Sequence, residues 1–229
     1  MKVLSDKNNL NVLYEDNHLI VVNKRVGDIV QGDKTGDKPL SDVVKEYIKD
    51  KYNKPGEVFL GVVHRLDRPT TGIVVFARTT KALTRLNELF KNRETQKTYW
   101  AVVKNKPAQS EGKLVHYLKR NEKNNTSKAH TKEVPDSKIA SLDYKIIKDL
   151  DNYFALEINL YTGRHHQIRA QLSAIGSPIK GDLKYGSDRS NPDGGIHLHA
   201  RSLFFIHPVT KEEIKITAPV PDDSIWKAI

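Results

Sequence analysis

The sequence predicts an α+β protein with a mixed, mainly antiparallel sheet and a few helices. Three observations carry that expectation. Short apolar strands follow one another with turn residues between them, only three segments space their apolar residues as a helix does, and no linker or internal repeat divides the 229 residues.

Taken in order, residues 10 to 23 hold two apolar runs around Glu15, Asp16 and Asn17, the pattern of a β-hairpin. A Gly/Asp/Lys-rich loop follows from Gln31 to Pro39. Leu40, Val43, Val44, Tyr47 and Ile48 then predict an amphipathic helix over 42–52, with Ser41 as its cap. The run at 73–77 is a buried strand, and Leu83, Leu86, Leu89 and Phe90 define a second helix over 81–92. Strands are expected at 98–103, 113–118, 141–147 and 153–160. Ile168, Leu172 and Ile175 give a third helix that begins near Arg164 and stops at Gly176. The segments IHLHARSLFFIHP and EEIKITAP form a final hairpin. The whole is expected as one domain over 1–229, with 1–9 as a flexible tail.

Composition limits the function classes. Lys and Arg number 38 against 28 Asp and Glu, a formal charge of +10, so a polyanion is a natural partner. Cysteine is absent, which excludes disulfide scaffolds, thiolate zinc sites and cysteine nucleophiles and fits a reducing compartment. The first ten residues lack the apolar stretch of a signal peptide, and no run approaches the roughly 18 apolar residues that a membrane helix needs. A cytoplasmic protein is expected.

One segment departs from the regular pattern. Residues 119 to 132 carry Lys119, Arg120, Lys123, Lys128 and Lys132 against Glu122, with almost no apolar residue. The sequence therefore predicts a solvated, mobile loop. Its functional reading is an arm that closes on RNA phosphates; the alternative is a tolerated surface insertion.

The chemistry concentrates at residues 64 to 72, HRLDRPTTG, just before the apolar strand. This string sets Asp67 between Arg65 and Arg68 in a turn that ends in Pro69 and Gly72. Nearby arginines favour an ionised carboxylate, which suits a nucleophile or base. A surface ion pair is the plainer explanation of such a turn. The whole string, however, resembles the signature of the RluA-type family of pseudouridine synthases. Further segments are similar to that family's motifs in order and spacing: YEDNHLIVVNK at 14–24, KTYWAVV at 97–103, TGRHHQIR at 162–169, GSPIKGDLKYG at 176–186, LHARSLFFIHP at 198–208 and APVP at 218–221. Departures are Thr71 in place of Ser, Arg25 in place of Pro, and Ala170 and Gln171 in place of Val and His; none removes a catalytic residue. On this resemblance the chain is expected to begin almost at the catalytic domain, without the small RNA-binding head of many relatives.

The resemblance implies the pseudouridine synthase catalytic fold and isomerisation of uridine within RNA, with no cofactor, metal or energy source. Asp67 would attack the nucleotide, either covalently or by taking a ribose proton to give a glycal. Tyr99 matches an active-site tyrosine that stacks on the base and assists proton removal from C5; a core aromatic is its ordinary role. Arg169 matches an arginine expected to pair with Asp67. His64, Arg65 and Arg164 are weaker candidates for substrate contact, together with the basic segment, and a structural salt bridge is the alternative for each arginine. Arginines beside the site could occupy the stack that a flipped nucleotide leaves. His197 and His199 point to one face of a strand, yet no acidic ligand lies in register with them, so metal is set aside. Ribosomal or transfer RNA is the expected partner, and the protein is expected to be a monomer. Two competing readings remain: a non-catalytic RNA-binding or ribosome-assembly factor on the same fold, and an unrelated hydrolase using Asp67 with a histidine.

Overall fold

The computed structural model describes residues 4–229. The elements in chain order are β1 (Val12–Glu15), β2 (Leu19–Lys24), α1 (Leu40–Lys51), β3 (Gly61–Val62), β4 (Thr71–Ala77), α2 (Thr80–Asn92), β5 (Gln96–Val103), β6 (Glu111–Asn121), β7 (Thr126–His130), β8 (Lys138–Asp149), β9 (Phe154–Leu160), α3 (Gln167–Ala174), a 3-10 turn (Leu183–Tyr185), β10 (Leu198–Ile206), β11 (Glu213–Thr217) and α4 (Ser224–Lys227). They form two compact units. The first comprises Met1–Thr95 and Ala200–Pro221, the second Gln96–His199 and Asp222–Ile229.

In the first unit the strand order is β1-β2-β4-β10, with β11 beside β10 and β3 beside β4. The expected opening hairpin pairs β1 with β2, and β2 runs antiparallel to β4 from Leu19 opposite Ala77 to Lys24 opposite Gly72. All seven residues of β4 are buried, which explains why its sequence is a continuous apolar run and not an alternating one. Gly72 has φ +111°, and a Cβ there would lie 2.4 Å from the Ala200 carbonyl oxygen, so glycine alone fits at the start of β4. α2 opens with the Thr79 side chain accepting from the Ala82 N–H and buries Ala82 and Leu86. α1 starts two residues earlier than its pattern predicts. Pro39 is its N-cap and Ser41 lies inside the helix, so the expected serine cap does not form. The expected tail is also anchored over its described part, since Ser5 donates to Asp28 through its backbone N–H at 3.0 Å and its hydroxyl at 2.7 Å. Residues 1–3 lie outside the described residues.

The second unit has the order β5-β9-β8-β6-β7. Each neighbouring pair is antiparallel, as runs of strands joined by turns require. One face of this sheet carries Ala101, Val103, Leu142, Leu156 and Ile158, packed with Ile168 and Leu172 of α3. Each fully buried side chain of this kind contributes about 1.5 to 3 kcal/mol.

Two expectations change in this unit. The basic segment is not a loop: β6 runs to Asn121 and pairs with β7 through Lys119 opposite Lys128, Arg120 opposite Ser127 and Asn121 opposite Thr126. Its inward residues are Ser127 and Ala129, small or polar, so no apolar alternation marks the strand. α3 begins at Gln167, three residues after Arg164. The Gln167 side-chain oxygen accepts from the Thr162 hydroxyl and the Arg164 N–H, which keeps residues 162–166 in a turn. His165 therefore precedes the helix, whereas a helix from Arg164 would place it four residues before Arg169 on the same face.

α4 closes the second unit. Asp223 caps it, and Trp226 stacks on His197 with ring centroids 5.3 Å apart. His197 Nδ1 lies 2.9 Å from the Asn191 side-chain nitrogen, which donates to it, so protonating that nitrogen breaks the bond. Burial, and next the charge of Lys180, push this imidazole down to about 4. The unfolded chain binds the proton near pH 6.5 and the folded chain near 4. Stability is therefore fully present above about pH 6.5 and is lost as pH falls towards 4. Thermal unfolding at pH 7 and pH 5 should show a loss on the order of 1 to 2 kcal/mol that His197→Gln largely removes.

Candidate active site

Asp67 sits in the segment between β3 and β4, half-buried, at the start of a tight turn in which its carbonyl accepts from the Thr70 N–H at 3.0 Å. Three anchors hold that turn within the first unit. Upstream, the His64 ring stacks on Phe90 at 4.8 Å, and its Nε2 accepts from the Val75 N–H at 3.1 Å. Accepting at Nε2 places the proton on Nδ1 and makes His64 a neutral tether between the turn, β4 and α2. Leu66 is buried beside Asp67. Downstream, Lys24 is 1% exposed, and its ammonium donates to the carbonyls of Arg25 at 2.9 Å and Arg68 at 3.1 Å. The Gly27 N–H shares the Arg68 carbonyl at 2.9 Å. A buried ammonium persists only where such acceptors offset its desolvation, so Lys24 fixes the backbone next to Asp67.

The flanking arginines behave differently from a simple surface pair. Arg68 is drawn to the loop at 31–39, where it donates to Asp37 at 2.5 Å and to the Thr35 hydroxyl at 2.8 Å. That contact gives the Gly/Asp/Lys-rich loop a purpose: it holds the second residue of the turn. Arg68 holds the Asp37 carboxyl below its ordinary range, with Thr35 as the next cause. Arg65 is exposed.

In the second unit, Tyr99 lies on β5 opposite Ile158, half-buried against the core. Arg169 is buried on α3. Its Nε and Nη2 donate to the two carboxylate oxygens of Asp182 at 2.6 and 2.8 Å, and its guanidinium lies 4.9 Å from the centre of the Tyr185 ring. The sequence reading named neither Asp182 nor Tyr185 as a site residue, nor Lys24 in the first unit. The signal for the first two was the GDLKYG stretch, in which one turn presents an acid and an aromatic three residues apart. For Lys24 it was a lysine ending an apolar strand. Arg164 is half-buried and donates through Nε to the Ile139 carbonyl at 3.0 Å, a local structural contact.

The β6–β7 hairpin sets Lys119 directly opposite Lys128, with Arg120, Lys123 and Lys132 exposed nearby. Like charges in that position repel. Asp136 reaches Lys119 only at 3.7 Å and is itself highly exposed. Such an arrangement favours an anionic ligand.

The antiparallel α+β architecture, a carboxylate on an anchored turn and an exposed basic hairpin each suit an enzyme that acts on a polyanion. The sequence profile of RNA pseudouridylate synthases matches residues 18–174. Ribosomal large subunit pseudouridine synthase D of Xanthomonas campestris pv. campestris is 35% identical over 227 residues, covering 93% of this chain and 67% of that protein. The uncharacterized RNA pseudouridine synthase YlyB of Bacillus subtilis is 32% identical, covering 97% and 73%. Among solved structures, human RNA pseudouridylate synthase domain containing 4 superposes with a TM-score of 0.80 at 24% identity, covering 94% of this chain and 90% of that one, which shows the shared fold. The chain belongs to the RNA pseudouridylate synthase family and is an isomerase that converts uridine in RNA to pseudouridine. Among the described residues, no helix is long and apolar enough to cross a membrane.

Proposed function

We propose that this enzyme modifies uridines in ribosomal or transfer RNA as a cytoplasmic monomer, with Asp67 as the nucleophile or base. Relatives named as ribosomal large subunit synthases favour ribosomal RNA. The observation that supports the role of Asp67 most is the anchoring of its turn by His64, Leu66 and Lys24, because a reacting carboxylate must be held to within a fraction of an ångström.

The reaction breaks the bond between uracil N1 and ribose C1′ and forms one between C5 and C1′. The C5 proton leaves to solvent and N1 gains a proton, so no oxidant or water is consumed. Asp67 either adds to the nucleotide or removes a ribose proton. Tyr99 keeps the role its motif implies, with its ring against the base and its hydroxyl taking part in loss of the C5 proton. Arg169 serves as a buried cation. His64 and Arg164, whose polar atoms hold the protein's own backbone, act as supports for the site, while Arg65 is the exposed cation available to RNA.

The basic hairpin grips the RNA backbone in this reading. Each phosphate contact releases counterions, and the slope of log affinity against log salt is about −0.7 per contact for single strands. Changing Lys119, Arg120, Lys123, Lys128 and Lys132 to Gln should flatten that slope by roughly 1.4 to 3.5 units if two to five of them engage. Folding stability should barely change and the rate at saturating RNA should survive. An unchanged slope and affinity would remove the hairpin from the RNA surface.

A further inference from the structure

Tyr185 touches three things at once within the second unit. Its ring face lies under the Arg169 guanidinium, whose edge is gripped by Asp182 three residues earlier on the same 3-10 turn. Its hydroxyl accepts from the Ser127 N–H of β7 at 2.7 Å. The same hydroxyl lies 2.9 Å from His166 Nδ1. The Ser127 amide can only donate, so the hydroxyl oxygen accepts there, and the direction of its bond to His166 follows the tautomer of that imidazole. Tyr185 itself is buried, with 8% of its surface exposed.

The hydroxyl is part of a longer polar chain. The Ser127 hydroxyl donates to the His165 carbonyl at 2.8 Å and meets His165 Nδ1 at 2.9 Å. The His165 ring stacks on His166 at 3.8 Å, and its Nε2 lies 3.2 Å from the Asn125 side-chain oxygen, in the hairpin turn itself. His166 adopts φ +52° at the N-cap of α3, a conformation that costs a histidine energy and persists only where its surroundings fix it. The tyrosine hydroxyl and the His165 ring are among the contacts that hold it. None of these contacts is needed to fold an ordinary hairpin, which would leave its backbone edge to water.

We propose that Tyr185 is a positioning residue with two separable tasks: its ring orients the Arg169 guanidinium, and its hydroxyl fastens the β6–β7 hairpin to α3. The inference rests on the reading above, in which the hairpin holds RNA and Arg169 serves the reaction. The ring is retained by phenylalanine and the hydroxyl is not, so the two tasks separate kinetically. Losing one neutral hydrogen bond weakens an equilibrium by about 3- to 10-fold, and losing a desolvated cation–π contact by about tenfold or more.

Single-turnover pseudouridine formation over a range of RNA concentrations tests the proposal. Tyr185→Phe should raise the half-saturating RNA concentration about 3- to 10-fold with the maximal rate within about twofold of wild type. Tyr185→Leu should in addition lower the maximal rate about tenfold or more. Should the Leu variant fail to fold, Tyr185→Met supplies the same comparison. Hydrogen exchange at the Ser127 amide should quicken in Tyr185→Phe, a readout that needs no activity and so stands even if the wild-type enzyme leaves the chosen RNA unmodified. Unchanged exchange at Ser127, an unchanged RNA dependence in Tyr185→Phe, or a maximal rate that falls equally in the Phe and Leu variants would each overturn the proposal.

Discussion

Asp67→Asn should abolish pseudouridine formation, with a rate loss of about a thousandfold or more, while RNA binding stays close to wild type. The substitution keeps the shape of the side chain and the backbone turn that Lys24 and His64 hold, and removes only the reacting carboxylate. In the proposed reading binding is carried by basic residues elsewhere, so affinity and its salt dependence should be unaffected. Filter binding and product analysis on the same preparation separate the two quantities. A variant that keeps more than a trace of activity would remove Asp67 from the chemistry and leave the anchored turn without a catalytic purpose.

The second large effect falls on stability. Asp182 and Arg169 form a two-pronged ion pair whose side chains are only 1% and 5% exposed. Removing Asp182 takes from the buried Arg169 guanidinium the two acceptors it supplies, and breaking such a pair costs about 3 to 5 kcal/mol. Asp182→Ala should therefore shift the denaturant midpoint strongly. The double change Asp182→Ala with Arg169→Met should recover much of that loss, because the cation that Asp182 neutralises is then gone as well. Equal stability of the single and double variants would show that the pair contributes shape and not charge. Activity of the double variant should remain low, since a methionine cannot replace the cation.

Much of the fold was legible because its signals are local. The opening hairpin follows from apolar runs on either side of an Asp-Asn turn, and α2 from its apolar stripe. β7 was not legible for a physical reason. Its inward positions are filled by Ser127 and Ala129, and besides its ladder with β6 it is held by a tyrosine 58 residues away in sequence. The start of α3 was displaced by Gln167, whose side chain satisfies groups in the preceding turn and so delays the helix. For the site, the proposed reacting carboxylate and His64 stand in one nine-residue string, whereas Lys24 and Asp182 gave no such signal. Lys24 and Asp182 are ordinary charged residues in the sequence, and the structure buries both.

The central claim, that this chain rejoins uracil to ribose through C5, is tested most directly with RNA carrying tritium at uridine C5. Purified enzyme incubated with ribosomal and transfer RNA lacking pseudouridine should release tritium to water in equal amount to the pseudouridine formed, and Asp67→Asn should release none. Tritium retained while RNA binds tightly would contradict the account, and would leave the fold with the role of an RNA-binding factor.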